Sequence, residues 1–177
     1  MARVEDVMAA VRARTGPEPL AKLRTLLYYA QAWHLATHRR PLFGAAIEAR
    51  REGPVVPEAG DRQGDPAALT EQEQEVVRVV VARYGSFSPA ELSAMAREEQ
   101  PWRATGAGEP LSHEVMARYF GRQVSEHNTA IEEARAGARL EGVEVTAGCV
   151  DSMREVAEGR LSTEDAIERR VRALLSR

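Results

Sequence analysis

Residues 20–37 read LAKLRTLLYYAQAWHLAT. Leu20, Leu23, Leu27 and Ala30, with Leu26, Trp33 and Ala36 beside them, recur mostly at three- or four-residue steps. That period predicts a helix over 20–39 with one broad buried face. Pro41 ends it, because the residue before a proline is pushed out of the helical region. On the N-terminal side, Thr15-Gly16-Pro17-Glu18-Pro19 is a helix-breaking run. It separates this helix from a shorter one over Glu5–Arg14, whose face is Val4, Val7, Met8 and Val11.

Downstream, Ile47, Ala49, Val55 and Val56 stand among Gly53, Pro54 and Pro57. This is an extended or turning segment with room for one short strand. Residues 58–69, rich in Gly, Asp and Pro, read as a loop. Thr70 with Glu73 three residues later forms a capping box and opens a helix that runs to Tyr84 and closes at Gly85. Ser88, Pro89 and Glu91 repeat the signal for a helix ending near Glu99, before Pro101 and Trp102. After a glycine-rich loop at 105–110, Ser112 caps a helix carrying Val115, Met116, Tyr119 and Phe120, which Gly121 closes.

Beyond residue 124 the character changes. All the Trp, Tyr and Phe residues lie before residue 121, and a block without aromatics makes a poor independent core. Residues 125–177 carry eleven acidic residues against eight arginines, whereas the first 124 residues balance. These shifts predict two parts, 1–124 and 125–177. The second reads as three helices over 129–141, 147–158 and 162–175, with Gly142 and Gly159 as stops and Thr129…Glu132 as a capping box. The expected fold class is therefore mainly α, with at most a short β element.

Composition narrows the function classes. The 177 residues are 44% hydrophobic and 29% charged, which predicts a folded chain rather than a disordered one. A net charge of -3 gives no electrostatic reason to expect nucleic acid or a membrane surface. Charged residues spread through 1–14 argue against a signal peptide, and no long apolar run predicts a membrane span. The single cysteine, Cys149, permits no internal disulfide and fits a reducing compartment. A cytoplasmic protein is the expectation.

The usual chemical signatures are missing. His34 and His38 share a helix face, but no third ligand stands at a zinc-site spacing. Cys149 has no activating neighbours and reads as a small buried side chain. Gly106 and Gly108 lack the Lys-Ser/Thr end of a phosphate loop, and no Gly-x-Ser-x-Gly occurs. Tyr28, Tyr29, Trp33 and Trp102 are assigned to the core, since buried aromatics dominate packing, and no basic stripe on helix 20–39 supports a base-stacking role. Neither a cofactor, a metal nor an enzymatic constellation is expected.

Two stretches nevertheless resemble known families. Residues 20–122 resemble the Panacea domain of SocA-like and phage-associated GepA-like proteins. The residues that carry the likeness are LAKLRTLLYYAQAWHLAT at 20–37, Pro41-Leu42-Phe43, Ile47-Glu48-Ala49 and Gly53-Pro54-Val55-Val56-Pro57. Leu92-Ser93, Pro101-Trp102, Leu111-Ser112 and Tyr119-Phe120 continue it. The resemblance implies a helical domain found in bacterial antitoxins paired with many unrelated toxins, some relatives acting as adaptors that deliver a target to a protease. Residues 128–176 resemble the VbhA-like antitoxins, three-helix inhibitors of Fic adenylyltransferase toxins. Ala138-Arg139-Leu140-Glu141-Gly142-Val143-Glu144 and Glu158-Gly159-Arg160-Leu161-Ser162-Thr163-Glu164-Asp165-Ala166-Ile167 carry this second likeness. In that family the inhibitory motif is Ser/Thr, three residues, then Glu and Gly or Asn. Glu141 and Gly142 fit it, and Gly137 stands where the hydroxyl residue belongs.

Together the resemblances imply an antitoxin whose partner is a Fic-type toxin. Glu141, flanked by Gly137, Arg139, Leu140 and Gly142, would be the inhibitory side chain at the toxin's ATP site. The alternative is a Panacea-type antitoxin or proteolytic adaptor for an unrelated toxin, with the tail accessory. A DNA-binding repressor is opposed by the neutral charge of the first 124 residues.

Overall fold

A computed structural model describes residues 1–60, 62–140, 145–157 and 161–175. Among the described residues it holds eight α-helices and one two-stranded sheet. The chain divides into two compact units, Met1–Arg122 and Gln123–Arg177.

In the first unit, α1 (Val4–Thr15) buries Val4, Val7, Met8 and Val11 on its inner face. Gly16 follows with φ 77, a conformation that a side chain would strain. Asp6 is buried on the same helix, and its carboxylate accepts the Asp65 N–H at 2.9 Å. That bond draws the 58–69 segment onto α1. This segment contains a 3-10 turn at Pro66–Ala68, where the sequence predicts only loop.

α2 (Leu20–His38) is the centre of the unit, with fourteen of its nineteen residues buried. It packs against α1, α3 (Glu71–Tyr84), α4 (Pro89–Glu98) and strand β2 (Gly53–Val55). Such a helix shows little polar-apolar contrast around its axis because neighbours cover several faces. Arg39 ends it with φ 57, donating its N–H to Leu35 O.

The 47–56 segment forms two strands rather than one. β1 (Glu48–Arg50) pairs antiparallel with β2 (Gly53–Val55) in the register Glu48↔Val55 and Arg50↔Gly53. Gly53 adopts φ 119 at the start of β2. Residues 108–111 lie along the other side of β1. Ala49 N–H donates to Glu109 O at 2.9 Å, and Leu111 N–H to Ile47 O at 2.7 Å. The pairing spans about sixty residues of chain, so local sequence pattern does not reveal it.

Both capping boxes form: Thr70 with Glu73 opens α3 (Glu71–Tyr84), and Ser88 with Glu91 opens α4 (Pro89–Glu98). A short α5 (Gln100–Arg103) then carries Pro101 in its first turn, where its missing N–H costs nothing. The α4–α5 corner at Glu99 replaces the expected plain helix end.

α6 (His113–Leu140) corrects two expectations. Ser112 Oγ accepts the Val115 N–H at 3.4 Å as expected, but Gly121 does not close the helix. A glycine costs a helix interior only about 1 kcal/mol, and no proline follows it. Thr129 is likewise mid-helix, its hydroxyl donating to Ser125 O at 3.0 Å instead of capping. The boundary between the two units falls within α6.

The second unit holds the rest of α6, then α7 (Ala147–Ala157) and α8 (Thr163–Leu175). Ser162 caps α8 by accepting the Asp165 N–H at 3.0 Å. Glu155 and Arg169 join the two helices at 2.7 Å. The expected stops Gly142 and Gly159 lie outside the described residues. No helix among the described residues is long and apolar enough to cross a membrane.

Candidate functional site

Of the five residues singled out in the tail, three are described. Gly137, Arg139 and Leu140 occupy the last turn of α6, and all are exposed. Leu140 is 91% exposed, more than any other large apolar side chain described. A side chain added at Gly137 would meet nothing within 4 Å. Arg139 places a positive charge where the helix end is negative, a favourable arrangement worth a few tenths of a kcal/mol to about 1 kcal/mol. Glu141 and Gly142 lie outside the described residues.

α7 and α8 share an apolar groove of about 500 Å³. Its lining includes Cys149, Met153, Val156, Ile167 and Val171. Ile167 is 60% and Val171 48% exposed. Cys149 is half-buried in this lining, not enclosed in a core as the sequence suggested.

The first unit contains a second chemically distinctive cluster. Tyr28 and Tyr29 leave adjacent positions of α2, both fully buried. Tyr29 stacks on Tyr84 of α3 at 3.9 Å between ring centroids, and Phe120 of α6 meets Tyr28, Tyr29 and Trp33 edge-on. Trp33 donates its indole N–H to the Tyr84 hydroxyl at 3.2 Å, and Arg83 lies 4.8 Å over the Trp33 ring. Into this cluster the α4–α5 corner inserts Glu99, 9% exposed, which accepts the Tyr28 hydroxyl at 2.6 Å.

Burial pushes the Glu99 carboxyl up to about 7, more than the Tyr28 and Tyr29 hydroxyls pull it down. Desolvation first, then the Glu99 charge, drives Tyr28 and Tyr29 far above their ordinary range. Tyr84 is raised to about 12, again chiefly by burial. The Tyr29 hydroxyl makes no hydrogen bond of its own, yet stands close enough to Glu99 for the two charges to oppose each other. All these phenols are neutral in the physiological range; Tyr28 donates to Glu99, whereas the Tyr84 hydroxyl accepts from Trp33.

Sequence reasoning missed Glu99. It stands in the polar run Arg97-Glu98-Glu99-Gln100, where every residue reads as surface. The available hint is Pro101, which prevents α4 from simply continuing. Trp102 departs from its core assignment: it is half-buried, with its indole N–H donated to Arg50 O at 3.1 Å. Tyr28, Tyr29 and Trp33 are buried as expected.

His34 and His38 stack at 4.5 Å. The His34 Nδ1 pairs with Arg40 O at 2.7 Å, which fixes the chain reversal after α2. Burial lowers the His34 pKa below 6.5, favouring the neutral ring. Among the described residues, no three His, Cys, Asp or Glu side chains gather as metal ligands.

No curated protein matches the chain, and no solved structure does. Residues 23–68, from within α2 through the β-hairpin to the 3-10 turn, match the family model described as "Antitoxin SocA-like, Panacea domain".

Proposed function

We propose that this protein is an antitoxin that neutralises a toxin by binding it, and that its parts divide the work. Residues 1–124 form the Panacea-type part, and residues 125–177 carry the inhibitory segment. The observation that carries the antitoxin reading is the match over residues 23–68. The choice of toxin rests on the VbhA-like runs at 138–144 and 158–167, which point to a Fic-type adenylyltransferase.

In this reading Glu141 enters the toxin's nucleotide site and pairs with an arginine that otherwise grips the γ-phosphate of ATP. A desolvated carboxylate–guanidinium pair is bidentate and strong. Occupying that arginine leaves the phosphates unable to align with the attacking hydroxyl. A misplacement of about 1 Å costs on the order of a hundredfold in rate. The exposed last turn of α6 supports the reading, because Arg139 and Leu140, the two residues before Glu141 in the chain, are exposed. Gly137 removes the motif's hydroxyl, so the pair relies on Glu141 with less local support.

Co-expression with the candidate toxin tests this directly. Glu141→Gly should release target adenylylation while leaving the complex assembled. Full inhibition by that variant would refute the role of Glu141.

A second reading is favoured by the placement of the family match, which lies wholly in the first unit. There the Panacea-type part contacts an unrelated toxin, or delivers it to a protease. Neutralisation that survives deletion of residues 125–177 would select this reading.

A further inference from the structure

Glu99 sits where α4 ends and α5 begins. Its N–H closes α4 on Ala96 O, and its carbonyl accepts the Arg103 N–H at 3.1 Å. The backbone of the corner is thus tied locally, while the side chain reaches inward to a helix seventy-one residues earlier. The titratable residues near it come from α2 and α3. Tyr28 and Tyr29 face it from α2, and Tyr84 stands close on α3. Tyr119 of α6 interacts with the same tyrosines.

The nearby cations are engaged elsewhere. Arg83 lies over the Trp33 and Tyr84 rings, and Arg122 donates to Gln100 and lies over Tyr119. Arg103 pairs with Glu98 at 3.9 Å. Among the described residues, no cation pairs with Glu99. A buried carboxylate served only by neutral phenols lacks the compensation that keeps buried charge in place, and it favours the protonated form.

We propose that Glu99 is a proton-operated latch: its neutral carboxyl holds the α4–α5 corner against α2, and its ionisation loosens that corner. Among the described residues the corner has two other long-range tethers nearby, the Trp102 indole bond to Arg50 on the hairpin and the Arg122 bond to Gln100 at 3.1 Å. Opening it uncovers the Tyr28 and Tyr29 hydroxyls. The carboxyl titrates at about 7 in the folded unit against 4.5 when exposed. Because the folded value is the higher one, the latch is fully closed below about 4.5. Its proton-linked hold fades as the pH rises and is gone above about 7.

Hydrogen exchange of the amides at 89–103 in the full-length chain, corrected for intrinsic rates, reads the latch. The opening equilibrium should rise about tenfold per pH unit between about 5 and 7, then level off. Glu99→Gln keeps an acceptor for Tyr28 but cannot ionise, so its profile should be flat. His34 is present in both proteins, so the difference between them isolates Glu99. A flat wild-type profile, or the same slope in both proteins, would overturn the proposal. If the variant does not fold, carboxyl-carbon NMR of the wild-type protein decides the matter. A Glu99 midpoint near 7 with amide exchange at 89–103 rising over the same pH range upholds the latch; a midpoint near 4.5, or exchange that does not follow the midpoint, overturns it.

Discussion

Gln31 shows how one buried polar side chain organises a stretch of backbone. Its amide oxygen accepts the Leu42 and Phe43 N–H groups at 2.8 and 3.1 Å, and its amide nitrogen donates to Phe43 O at 3.1 Å. The segment after Pro41 is thereby pinned to α2 without belonging to a regular element. Gln31→Leu keeps the volume but strands two buried donors and an acceptor, each costing about 1–3 kcal/mol. Chemical denaturation should therefore show a loss of roughly 3 kcal/mol or more, with the denaturant slope unchanged. His34 makes a pH-dependent contribution. Its folded pKa is lowered, so the stability it confers is present above about 6.5 and is lost as the pH falls through the lower folded value. His34→Asn should flatten that acid-side decline in urea-unfolding free energies measured below pH 6.5.

At the scale of elements, the sequence signals differ in strength according to what they compete with. Thr70 and Ser88 each accept a helix-end N–H, from Glu73 and Glu91, and both caps form. Thr70→Ala and Ser88→Ala should each cost about 1 kcal/mol in thermal or chemical unfolding. Thr129 has the same letter pattern but sits inside α6, so Thr129→Ala should stay within a few tenths of a kcal/mol. Gly121 also reads as a stop, yet an added side chain there meets nothing within 4 Å. Gly121→Ala should stabilise the protein by up to about 1 kcal/mol, whereas a helix terminus requiring a left-handed glycine would lose stability.

At the scale of the whole molecule, burial is distributed unevenly. α2 buries fourteen residues, whereas α7 buries Val150 alone among its described side chains. Hydrogen exchange should accordingly be slowest in α2 and orders of magnitude faster in α7 and α8 of the isolated protein. Binding of the proposed toxin to the tail should slow exchange in α7 and α8 while leaving α2 unchanged. By itself the sequence determined the mainly helical class and α1 to α4 within about a residue at most ends. Those features follow from period, caps and breakers acting over a few residues, whereas α2 is buried on several faces and not on the one broad face its period predicts. In the proposed site, Gly137, Arg139 and Leu140 were named from family likeness, since nothing in their chemistry distinguishes them from ordinary surface. Only the tertiary structure decided that residues 108–111 extend the hairpin, that α6 runs through Gly121, and that Glu99 turns inward to Tyr28. Each depends on groups brought together from distant parts of the chain or on packing that outweighs a weak local preference, and a local pattern records neither.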